Sequence, residues 1–102
     1  MVIYEINISI DNGIFERYAK WLKQHQKEML SFKGFNHSEI YVDTQQNDDE
    51  KTALVIIYQL ESMNHLEEYL RLHAKVMREK ALENFGGRFK ASRRILRTLS
   101  PQ

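Results

Sequence analysis

Residues 2–10 alternate, with Tyr4, Ile6, Ile8 and Ile10 on one side and Glu5, Asn7 and Ser9 on the other, and a period of two predicts a strand. Asp11, Asn12 and Gly13 then supply a turn and a candidate N-cap. Beyond them Ile14, Phe15, Tyr18, Leu22, His25 and Met29 recur at helical spacing, with Arg17, Lys20, Lys23 and Lys27 off the stripe, so a helix is predicted that stops before Gly34. Alternation returns over Phe35–Asp43, and the polar run Thr44–Lys51 reads as a hairpin loop into a third strand, Thr52–Leu60. Its interior, Ala53–Tyr58, is apolar on both faces, as in a central strand. Ser62 and Asn64 are candidate N-caps. Glu67 stands three residues after Asn64 and favours a start there for a helix running through Leu66, Leu70, His73 and Met77 to about Phe85. Gly86 and Gly87 stop it, and Lys90–Leu99 forms a last strand before Pro101.

Strand, helix, strand, strand, helix, strand is the order of a ferredoxin-like α+β sandwich: a four-stranded antiparallel sheet with two helices on one face, here a single domain over 1–102. If Ala53, Val55 and Ile57 meet the helices, Leu54, Ile56, Tyr58 and Leu60 point to the uncovered face. Such a face is too apolar for water, so the expected partner is a second copy, sheet against sheet, in a dimeric α-β barrel.

At 102 residues with a net charge of +1, the chain has room for one core and no second domain. It has no cysteine, which excludes disulfides, thiolate metal sites and thiol nucleophiles. No stretch approaches the ~20 apolar residues of a membrane span, and the expectation is a cytoplasmic protein that does not bind membranes. Residues 86–102 hold Arg88, Lys90, Arg93, Arg94 and Arg97 and no acid. Strand three, KTALVIIYQL, nevertheless lacks the glycine and aromatic pattern of an RNA-recognition module, and nucleic acid is not expected as a partner.

The expected chemistry lies on the uncovered face: Glu5 and Asn7 of strand one, His37, Glu39 and Tyr41 of strand two, Tyr58 of strand three and Arg94 of strand four. A slip of one residue would exchange Arg94 for Arg93 and Arg97. Polar groups beside an apolar floor suit a small, anionic ligand held between two sheets; they equally suit a satisfied polar network at a dimer interface. His25 and His73 lie on or beside the helical stripes. With no third ligand and no i, i+4 pair they predict no metal site, and no cofactor is implied. Trp21, Tyr18, Phe85 and Phe89 read as core anchors. No serine lies in a nucleophile elbow.

MVIYEINISID, WLKQH in helix one, GF at 34 and 35, ALVIIYQLES in strand three and the ending FGGRFKASRRIL together resemble a family of bacterial proteins about this long, catalogued as a domain of unknown function. The resemblance implies the same dimeric α+β barrel and no activity. The wider barrel group includes cofactor-independent monooxygenases and haem-degrading enzymes. Members of the latter use an Asn on the first strand, a Trp, and a His on the second helix, which would cast Asn7 and His73; Trp21, on helix one, departs from that pattern.

Overall fold

A computed structural model describes residues 1–99; Pro101, expected to follow the last strand, lies outside them. Strands β1 (Val2–Asp11), β2 (Phe35–Val42), β3 (Lys51–Leu60) and β4 (Phe89–Arg97) form one antiparallel sheet in the order β2-β3-β1-β4. A single 3-10 turn (Asn12–Ile14) leads into helix α1 (Phe15–Leu30), and α2 (Met63–Leu72) and α3 (Ala74–Phe85) follow β3. The ferredoxin-like α+β architecture and the central place of β3 are those the periodicity predicts.

The register decides which side each residue takes. Tyr4 stands opposite Tyr58, Ile6 opposite Ile56 and Ile8 opposite Leu54, and cross-strand partners share a face. Because β1 turns Tyr4, Ile8 and Ile10 into the core, β3 must turn Leu54, Ile56, Tyr58 and Leu60 the same way, and all are buried. This reverses the expectation for β3, including the placement of Tyr58 on the uncovered face. Both sides of β3 are apolar, so alternation alone could not orient it; the bulkier set takes the core, where each large side chain contributes about 1.5–3 kcal/mol. A register shift between Phe35 and His37 lets Phe35 and Ser38 both point inward while His37 and Glu39 stay out.

The helices depart from expectation at their ends. Asp11 caps nothing; its carboxylate instead binds Lys51 at 2.8 Å and Arg88 at 3.3 Å, tying the start of α1 to the neighbouring strands. Ser62, not Asn64, caps α2: its Oγ accepts from the His65 backbone N–H and pairs with the His65 ring. The single second helix expected through Phe85 breaks at His73, whose backbone (φ −126°) leaves the helical range while its ring stacks on Phe32 at 4.5 Å. Gly34 turns the chain into β2 at φ +87°, and a Cβ there would lie 2.3 Å from the His65 ring.

Candidate functional site

Where the helices cross the sheet, the inward faces of β1, β3 and β4 enclose, with α1, α2 and α3, a cavity of about 290 Å³. Four of the five tyrosines line it: Tyr4 and Tyr58 from paired strands, Tyr18 from α1 and Tyr69 from α2, joined by Trp21, His25 and apolar side chains. Several of the rings meet at tilted contacts, Tyr4 against Tyr69 at 6.0 Å and Tyr18 against Trp21 at 5.7 Å. Burial pushes the Tyr18 hydroxyl up to about 12 and those of Tyr58 and Tyr69 further in the same direction, so all three are neutral at physiological pH.

Two kinds of polar group reach this wall. His25 stacks on Trp21 at 4.6 Å, nearly parallel, and its Nδ1 is buried without a hydrogen-bond partner among the described residues. Burial, more than the opposing charge of Glu28, holds its pKa below the ordinary 6.5. The imidazole is therefore neutral at pH 7, a proton acceptor beside an aromatic cavity. Arg78 of α3 donates from Nη2 to the Tyr4 hydroxyl at 3.0 Å, and Arg93 of β4 stands opposite Ile6 on the helix side. The exposed lining residues are Arg78, Leu82 and Arg93; the mouth lies between α3 and β4.

The open face brings together most of the residues expected to form a site. Glu39, Ile57, Glu5 and Arg94 run across it as one row, and Tyr41, Val55, Asn7 and Ser92 as the next, with His37 flanking them opposite Gln59. Glu5 is 91% buried on this face in terms of accessible surface, being 9% exposed. Its carboxylate accepts from Arg94 Nε at 2.6 Å, from Arg94 Nη2 at 3.3 Å and from Asn7 Nδ2 at 2.9 Å. Those bonds, Arg94 first, hold Glu5 below the ordinary carboxylate range. His37 and Glu39 pair with each other, and Tyr41 is half exposed at the edge. Tyr58 and His73 belong to the other side of the sheet. His73 lies against Phe32 on the helix side, while Asn7 sits on the open face opposite Val55, so the two stand on opposite sides of the sheet. Among the described residues no three His, Asp or Glu side chains converge on a metal position.

The sequence model of a family described as a domain of unknown function, DUF4286, matches residues 1–99. The chain belongs to that family. No curated protein matches this DUF4286 chain in sequence. Among solved structures it is similar to a Deinococcus radiodurans protein described as an antibiotic biosynthesis monooxygenase (TM-score 0.73, 14% identity, 100% of this chain and 96% of that one). It is similar also to SnoaB, a cofactor-independent oxygenase from Streptomyces nogalater (0.69, 10%, 98% and 95%), and to Rv0793 from Mycobacterium tuberculosis (0.68, 12%, 99% and 98%). At such identities the likeness establishes the fold alone. Among the described residues of the DUF4286 chain no helix is long and apolar enough to cross a membrane.

The helix-side cavity escapes a reading of the sequence because its tyrosines occupy ordinary core positions. Part of it was visible, since Tyr4, Tyr18 and His25 fall on the alternating and helical stripes, but Tyr58 is turned inward only by its pairing with Tyr4.

Proposed function

We propose that this domain binds a small planar aromatic molecule in the cavity between its sheet and its helices, as one subunit of a homodimer joined sheet to sheet. The observation that carries the reading is the wall itself, in which tyrosine rings, Trp21 and His25 surround about 290 Å³, near the lower end of the ~300–1,000 Å³ range of small-molecule sites. A ligand of one or two fused rings suits that space. Pairing through the open face is supported by Ile3, Ala53, Val55 and Ile57, which are half-buried there, and by exposed Leu96. The Glu5 charge already has three donors on the same subunit, so the face can lose water without orphaning a buried carboxylate.

Calorimetric titration with 1-naphthol tests the reading. Saturable one-to-one binding is expected, lost in Ala91→Leu, which fills the cavity while leaving the circular dichroism spectrum unchanged. Absence of binding by the folded wild type contradicts it.

His25 favours a second, chemical reading, in which a bound phenol gives its proton to the imidazole and its carbanion-like ring carbon reacts with O₂, as in cofactor-free oxygenation. The balance closes without a further reductant: 1-naphthol and O₂ become 1,4-naphthoquinone and water, the substrate supplying the electrons. Oxygen uptake matched by quinone, and abolished in His25→Leu, is expected. Binding without uptake leaves the domain a binding protein.

A further inference from the structure

Charge at the mouth of the cavity narrows the ligand class. Arg78 and Arg93 enter from different elements, α3 and β4, and line the same cavity. Each acts electrostatically on the buried Tyr69 hydroxyl. The ion pairs of the described residues employ Lys51, Lys80, Arg88 and Arg94 as cations, and His37 stands against Glu39; neither Arg78 nor Arg93 is among them. Two of the fold's arginines are answered by carboxylates, Arg88 by Asp11 and Arg94 by Glu5, and others, Arg17, Arg71 and Arg97, have no ion pair among the described residues; what sets Arg78 and Arg93 apart is that both line one aromatic cavity. At the cavity mouth two guanidinium groups meet an aromatic pocket with no acid between them, and Arg78 is positioned by the Tyr4 hydroxyl through a single Nη2 bond, which leaves the rest of its donor fork open.

We propose, building on the aromatic-ligand reading above, that the domain selects an arene carboxylate: its ring system lies among Tyr4, Tyr18, Tyr58 and Trp21, and its carboxylate sits at the α3–β4 mouth between Arg78 and Arg93. A planar carboxylate matches the guanidinium fork in a way that a neutral hydroxyl does not. The apolar walls make the charge preference selective, because a small inorganic anion has no ring to fill the space behind the arginines. The ligand thus supplies at this mouth a carboxylate such as the chain itself provides for Arg88 and Arg94.

The test pairs 2-naphthoate with its neutral isostere 2-naphthylmethanol, titrated by calorimetry into the wild type, Arg78→Met, Arg93→Met and the double variant. The wild type is expected to prefer the carboxylate by about a hundredfold, each single variant to lose about tenfold for 2-naphthoate alone, and the double variant to bind both probes alike, each step being the loss of a charge-assisted contact. Arg78→Lys and Arg93→Lys retain part of the preference, which separates charge from packing. If the wild type binds both probes equally, or the methionine variants weaken both to the same degree, the carboxylate assignment is overturned while the aromatic cavity stands. If neither these probes nor 1-naphthol bind the folded protein, the cavity reading falls and the assignment with it.

Discussion

The two faces of the sheet are built from the same strands, offset by one residue, and they solve opposite problems. On the helix side Tyr4, Ile56 and Tyr58 are sealed from water, yet the packing leaves a cavity whose wall holds an imidazole nitrogen with no partner. On the open side Glu5, Arg94 and Asn7 are charged and polar but satisfy one another. Polarity therefore does not mark the site. The open face commits its polar groups to mutual hydrogen bonds, whereas the helix side holds the Arg78 and Arg93 guanidinium groups exposed at the mouth of a shaped cavity, and such donors are what a ligand can use.

The contrast can be broken most severely in β3, where adjacent residues face opposite ways. Tyr58→Ala removes a ring buried between β1, β2 and the helices and should cost about 3–5 kcal/mol in urea denaturation, against about 1 kcal/mol or less for Val55→Ala measured at low protein concentration. A charge placed on the open face probes assembly instead. For the sheet-to-sheet homodimer proposed above, Val55→Lys should raise the dissociation constant about a hundredfold in sedimentation equilibrium, by leaving an unpaired cation between the sheets, with the secondary structure unchanged.

Smaller effects separate the faces by pH. Glu5 titrates below its ordinary 4.5 when folded, chiefly because Arg94 and Asn7 bond its charged form. Its stabilisation is complete above that ordinary value and is lost as pH falls through the lower folded one. Glu5→Gln should therefore be less stable than the wild type at pH 7, the two converging in acid. His25 behaves differently. Its folded pKa lies below the ordinary 6.5 because the ring is buried, so the unfolded chain takes up the proton first. Stability should fall as pH drops below about 6.5 and level off once the folded pKa is passed. His25→Gln should flatten that slope in thermal melts, the smallest effect of the series.

The order of strands, the first helix, the sheet and the central place of β3 were legible from the pattern of apolar positions, because Val2–Ile10 and the α1 stripe each follow a single period and Ala53–Tyr58 is apolar on both faces. The orientation of β3 was not, since Ala53–Leu60 is apolar on both sides and only pairing with Tyr4 and Ile6 resolves it. The break at His73 is likewise tertiary, tied to a ring from the α1–β2 connection. On the open face Glu5 and Asn7 could be grouped from alternation alone, whereas Arg94 is separated from Arg93 and Arg97 only by the pairing of β4 with β1. The helix-side cavity could not, because it depends on how far α3 stands from β4, a distance that no local pattern encodes.

The most direct test of the account uses the methyl groups of β3 as reporters. In a ¹H–¹³C correlation titration of the methyl-labelled protein with 2-naphthoate, the helix-side methyls of Ile56, with those of Leu22, Ala81 and Ala91 across the cavity, should shift and saturate together, while Ala53, Val55 and Ile57 stay in place. Shifts confined to Ala53, Val55 and Ile57 would put the ligand between the sheets and contradict the assignment of the cavity.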